Sequence, residues 1–388
     1  MTDTSAPTVT VDGTTDPRFE KVRELLAANI AAGDEVGASI AVDLHGEMLV
    51  DLWGGHADAA RTKPWSQDTI VNIWSSTKTV TALSALILVD RGQLDVFEPV
   101  ATYWPEFAAN GKEAIEVRHL LSHTSGVAGW DTPFELEGMY DWEDSTARLA
   151  AQAPWWESRT SSGYHSQTMG HLVGEVVRRV SGKTLKEFVR TEIAEPLGAD
   201  FQIGARPEDD HGVAEMIPFT SRAFDLNTID RESILGKSIF GPLGNPNSAN
   251  TLPWRRADIG AVNGHGNARS MARILSTISR GGTVDGVRLL GPDTIDLIFQ
   301  EQANGVDLVL GVPLRWGIGY GLPQKETVPV LPDDERVAFW GGWGGSIIIA
   351  HPDRGLTISY MMNKMADGVI IGSPTANQYV TAIYEALA

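Results

Sequence analysis

Ser75-Ser76-Thr77-Lys78 opens the most apolar stretch of the chain, which runs through Val80-Thr81-Ala82-Leu83 to Arg91 and stops at Gly92. The periodicity predicts a helix over 77–91. Three residues make nearly one helical turn, so Ser75 Oγ and Lys78 Nζ project on the same side. The helix N-terminus adds positive potential where a negative oxyanion would form. Taken alone, the tetrapeptide fits an N-capping serine followed by a surface lysine. A surface lysine is not expected just before Val80 to Leu83, however. Burial would destabilise its ammonium, lower its pKa and make Lys78 a base near neutrality.

The ends of the chain frame this helix. Apolar positions Phe19, Val22, Leu25, Leu26 and Ile30 recur at helical spacing and end near Gly33. Two extended runs, 38–44 and 48–53, flank His45-Gly46-Glu47 and predict a β-hairpin. A second hairpin closes the chain: 346–350 and 356–362 flank a turn at 351–355, and a helix follows over about 375–387. The expected architecture is α+β, an antiparallel sheet fed by hairpins from both ends with both terminal helices packed on it. A helix-rich lobe over about 79–203 interrupts a sheet lobe made of 16–78 and about 204–388. Residues 1–15 are expected to be a flexible lead. Within 204–265 the chain is rich in Pro, Asn, Gly and aromatics with little periodicity; so long a loop is usually a lid or pocket wall.

Composition removes whole classes of function. The 388 residues carry a formal charge of −19, which disfavours nucleic acid and anionic membrane surfaces as partners. With no cysteine, there is no disulfide, no Cys-ligated metal and no thiol nucleophile. The first 15 residues hold neither a basic nor an apolar signal region, and the longest nearly apolar stretch, Val80 to Val89, is too short to span a bilayer. The sequence is read as that of a cytoplasmic protein without cofactor or metal, acting on a small molecule, with its oligomeric state left open.

Two further elements carry chemistry. Tyr164-His165-Ser166 stands at the start of an expected helix, 166–181, where the phenol can reach a reacting proton; a core tyrosine at a loop–helix junction fits equally well. Trp340-Gly341-Gly342-Trp343-Gly344-Gly345-Ser346 enters a strand, and four glycines in seven residues imply close approach of backbone to something else, or a bulge in a twisted edge strand.

Together these elements resemble the serine β-lactamase-like superfamily, in which S-x-x-K carries the nucleophile, and more closely the family VIII carboxylesterases. Val117-Arg118-His119-Leu120-Leu121-Ser122-His123-Thr124-Ser125-Gly126 and Ser270-Met271-Ala272-Arg273 look like further family segments, so the likeness spans nearly the whole chain. Departures matter too. Class C β-lactamases carry Y-x-N and K-T-G, where this chain has Tyr164-His165-Ser166 and Trp343-Gly344-Gly345. Losing the K-T-G lysine removes the cation for a β-lactam carboxylate and favours esters.

The resemblance implies a β-lactamase-like fold with the site between sheet and helical lobe, and a serine carboxylesterase acting through an acyl-enzyme. Ser75 would be the nucleophile, and Lys78 and Tyr164 the acid–base pair. Either Lys78 keeps Tyr164 as phenolate or it takes the seryl proton itself. The oxyanion hole would be the N–H groups of Ser75 and Ser346, with Trp343, Gly344 and Gly345 against the substrate. An amidase, D-peptidase or acyltransferase on the same residues is the alternative, and a non-catalytic penicillin-binding-like protein a third. His119 and His123 have i, i+4 spacing without a general-base glutamate, so buried hydrogen-bonded histidines are expected rather than a zinc site. Trp130, Phe134, Tyr140, Trp142, Trp155 and Trp156 suit either a pocket or core packing.

Overall fold

The hairpins from the two ends of the chain meet edge to edge. Gly37–Leu44 and Glu47–Gly55 form the first, Ile347–His351 and Leu356–Met362 the second, and Ile40 pairs with Tyr360 across the junction. In this computed structural model, which describes residues 10–223, 225–242 and 245–388, they are the centre of a nine-stranded antiparallel sheet. Val11–Thr15 adds one edge; Ala338–Gly341, Gly321–Leu322, Pro313–Trp316 and Ala303–Val306 continue to the other.

Alternation along a strand separates the two faces of the sheet. Tyr360 packs at a tilt on Tyr379 of the C-terminal helix Pro374–Ala386, whereas Thr357, of opposite parity, bonds Ser279 at the end of the helix Ala268–Ser279. The N-terminal helix Glu20–Ala32 joins the first of these faces: Asn29 Nδ2 donates to Tyr379 OH at 2.8 Å. Its end is set by Gly33, whose φ of +83° only glycine adopts without strain.

The helix Thr77–Asp90 is buried at every residue from Thr77 to Leu88, because Met169–Ser181 and Leu185–Val189 pack on it as well as Ala268–Ser279. That enclosure explains why it lacks a polar face. A three-stranded sheet of Val71–Asn72, Gly264–Gly266 and Phe201–Ile203 ties its entrance to the long middle segment.

Two expectations need correction. Of the flexible lead, residues 1–9 lie outside the described residues, but Val11–Thr15 is an ordered strand, its Val11 opposite Gly54 and its Thr15 opposite Val50. The helix expected from 166 begins at Met169, since Ser166, Gln167 and Thr168 form the turn that places Tyr164.

Candidate active site

Ser75 lies in a tight 3-10 turn, Trp74–Ser76, that runs straight into the buried helix. Trp74 has a φ of +50°, an unfavourable conformation for a bulky residue, held by edge contacts to Trp254 and Trp343 at 5.5 and 5.2 Å between ring centroids. The turn sends neighbouring serines in opposite directions. Ser76 Oγ meets Ser346 Oγ at 3.1 Å in the core, while Ser75 faces a cavity. Lys78 Nζ is 3.1 Å from Ser75 Oγ and donates to the carbonyls of Ser166 at 2.7 Å and Ala261 at 2.9 Å. No carboxylate pairs with it among the described residues, and it is 1 % exposed. Burial therefore drives the Lys78 pKa far below the ordinary lysine range.

Tyr164 arrives from a different segment. Its hydroxyl accepts a 2.8 Å hydrogen bond from Trp340 Nε1, and its ring stacks near-parallel with Trp316 and lies 4.8 Å from Lys78 Nζ. His123 packs edge-on at 4.9 Å. Burial pushes the Tyr164 pKa well up, partly offset by hydrogen bonds from Ser75 and Trp340. Both members of the expected acid–base pair are thus driven to their neutral forms, which disfavours a resting phenolate.

The glycine-rich segment departs from the sequence expectation in register. W-G-G occurs twice, and the first copy, Trp340-Gly341-Gly342, is the one that reaches Tyr164. A Cβ on Gly342 would lie 2.4 Å from Ile73 O, so only glycine lets this strand end approach the Ser75 turn. Gly344 and Gly345, with φ of +91° and +127°, then reverse the chain. That reversal carries Ser346 away from the cavity wall: its hydroxyl donates to Ile73 O at 3.0 Å and its carbonyl accepts from Gly342 N at 2.8 Å. Gly344 and Gly345 likewise stand off the wall, against Met365 and Ser373. Ser75 and Trp343 do line the cavity, and the backbone N–H of neither has a partner among the described residues. The indole of Trp343 packs on Trp74 and Phe219.

The cavity, about 190 Å³, is walled mainly by apolar groups, among them Phe219, Ile239, Val262, Leu310, Ile370 and Ile371. Phe219, Ile239 and Val262 come from the aperiodic 204–265 segment. The Val309–Leu310 and 366–371 walls, like Trp340, were missed by sequence reasoning; only the doubled W-G-G offered a hint of the last. His119 Nδ1 accepts from Glu116 N as a helix cap, and His123 Nδ1 from His165 N, so both are hydrogen-bonded core histidines. None of the six aromatics weighed as pocket candidates lines the cavity; Trp130 stacks on Phe134, and Trp142 bonds Glu175. Among the described residues no group of three His, Asp or Glu side chains gathers to hold a metal, and no helix is long and apolar enough to cross a membrane.

Comparison with known proteins bears on this geometry. The family model described as Beta-lactamase matches residues 22–373. The chain is 33% identical over 372 residues to the esterase/beta-lactamase LipL of Mycobacterium tuberculosis, spanning 93% of this chain and 85% of that protein. It is 34% identical over 362 residues to the esterase EstB of Burkholderia gladioli, spanning 86% and 87%. A crystal structure of a family VIII carboxylesterase superposes with a TM-score of 0.90 at 38% identity, covering 97% of this chain and all of that one. By the extent of the family match and of these relatives, the chain belongs to the beta-lactamase family of serine hydrolases.

Proposed function

We propose that the protein is a cofactor-free carboxylesterase that hydrolyses small to medium esters in the cytoplasm through an acyl-enzyme on Ser75. The observation that carries this reading is the surroundings of Lys78 Nζ. A neutral amine has two N–H bonds and one lone pair; two carbonyls take the N–H bonds, and Ser75 Oγ is the third neighbour. The lone pair is left for the seryl proton.

In the first step Lys78 accepts that proton as Ser75 Oγ attacks the ester carbonyl, and the oxyanion takes the free N–H groups of Ser75 and Trp343. Tyr164 donates its phenolic proton to the departing alkoxide and recovers one from the Lys78 ammonium. Water then attacks the acyl-enzyme, gives its proton to the same pair, and Ser75 Oγ regains a proton as the acid leaves.

Esters are favoured over β-lactams by the group that meets Tyr164 OH. It is the neutral Trp340 N–H, which cannot pair with a substrate carboxylate as a lysine would. Losing a charge-assisted hydrogen bond costs about 1.5–3 kcal/mol, roughly 10- to 150-fold in kcat/KM. The esterase name of the Burkholderia gladioli relative supports the same preference.

Two measurements test the proposal. A fluorophosphonate probe followed by intact mass and peptide mapping is expected to add one label, on Ser75. p-Nitrophenyl butyrate is expected to be turned over at least about a hundredfold more efficiently than nitrocefin. A label on another serine, or equal efficiency on the two substrates, would overturn the assignment.

A further inference from the structure

Asp307 lies far in sequence from the acid–base pair, a lone charge in the apolar run Val306 to Leu310. It is fully buried, and no cation pairs with it among the described residues. Its carboxylate instead collects donors from two segments. Oδ1 accepts from the backbone N–H of Tyr164 at 2.9 Å and from those of Val309 and Leu310, each at 3.0 Å; Oδ2 accepts from Ser162 Oγ at 2.9 Å. A parallel tie, Leu308 N to Ser162 O at 2.9 Å, runs beside it. One carboxylate therefore fixes the main chain of Tyr164 and, through the same oxygen, the Val309–Leu310 wall of the cavity.

We propose that Asp307 is a positioning residue with two separable effects, setting the Tyr164 phenol against Ser75 and holding the Val309–Leu310 wall that shapes the substrate pocket. The first effect rests on the reading of Tyr164 as the catalytic acid; the second does not. Position, rather than charge, carries both. Three of the four bonds converge on Oδ1, which an asparagine reproduces, while the Ser162 hydroxyl can rotate to accept from the new amide. A glutamate keeps the charge but moves both oxygens outward by a methylene. Misplacing a catalytic group by about 1 Å costs up to about a hundredfold in rate.

The experiment is a double-mutant cycle on p-nitrophenyl and ethyl esters with Asp307→Ala, Asp307→Asn and Asp307→Glu, each alone and with Tyr164→Phe. Asp307→Ala and Asp307→Glu are expected to lower kcat on the ethyl ester by about 10- to 100-fold, with less loss on the p-nitrophenyl ester, and to raise KM on both. Asp307→Asn is expected to regain most of that loss. In the Tyr164→Phe background the kcat loss is expected to vanish, since no phenol remains to be misplaced, while the KM rise persists through the wall. Fully additive kcat losses, or an active Asp307→Glu beside an inactive Asp307→Asn, would overturn the proposal. Should Tyr164→Phe alone leave kcat on the ethyl ester unchanged, the acid assignment fails, and the KM rise then stands or falls as the test of the wall. If Asp307→Ala does not fold, the Asn and Glu pair still separates position from charge.

Discussion

Replacing Trp340 by phenylalanine isolates one hydrogen bond at the centre of the proposed mechanism. The ring contact with Trp316, at 4.5 Å between centroids, is retained, and only the donor to Tyr164 OH is lost. In the resting enzyme that bond joins two neutral groups and is worth about 0.5–1.5 kcal/mol, whereas a bond to a charged partner is worth about 1.5–3 kcal/mol. When Tyr164 gives up its proton to the leaving alkoxide, the Trp340 N–H faces a developing phenolate. The difference, about 1–1.5 kcal/mol, exists only in the transition state and corresponds to about a 5- to 13-fold loss in kcat, with KM little changed. The leaving group makes the test selective. An alkoxide must be protonated as it departs, whereas p-nitrophenoxide is a stabilised anion that leaves unaided. Steady-state kinetics on matched butyrate esters should therefore show the full kcat loss for the ethyl ester and little for the p-nitrophenyl ester. Equal losses on both would place Trp340 in Ser75 activation instead and refute the assignment of Tyr164 as the leaving-group acid.

Other expectations follow from the same geometry. Ser75→Ala should reduce turnover to background, a loss of about 10⁶ in kcat, while Ser76→Ala, turned into the core, should leave most activity; substantial turnover by Ser75→Ala in a burst assay would show the nucleophile to be elsewhere. Because burial depresses the Lys78 pKa, the free amine is favoured, and kcat/KM should fall on the acid side as Lys78 protonates. Lys78→Ala should cost about 10²–10⁴ in kcat and remove that limb, and a wild-type profile flat to about pH 5 would contradict Lys78 as the base. Glu35 is buried with one oxygen bonded to Tyr360 and the other without a partner, and burial raises its pKa to about 8. A raised folded-state pKa gives stability that is present below the ordinary carboxylate range and lost as pH climbs through about 8. Urea unfolding at several pH values should therefore show Glu35→Gln gaining on the wild type as pH rises, at a limiting slope of about 1.4 kcal/mol per pH unit. A gap that does not change with pH would refute the burial of an ionisable carboxyl.

Local rules determined much of this protein from the sequence alone. The buried helix, the terminal hairpins and the Ser75–Lys78 pair all follow from spacing within a few residues, because helical and strand periodicity act at short range. Tyr164 was legible as a candidate for the same reason, as a tyrosine at a loop–helix junction. What short range cannot encode is register between distant segments. The two W-G-G copies are identical tripeptides, and only the pairing of Trp340 with Ile348 and the glycine reversal after Trp343 decide which copy meets Tyr164 and which residues line the cavity. The protonation state of Lys78 is also a tertiary property. Its two carbonyl partners, Ser166 and Ala261, lie 88 and 183 residues away, and the segments that bury it strip the solvation an ammonium needs. Asp307 was invisible for a related reason: a carboxylate in an apolar run reads as an isolated charge until the fold brings Ser162 and Tyr164 to its oxygens, and hydrogen bonds across 145 and 143 residues leave no periodic trace in the chain.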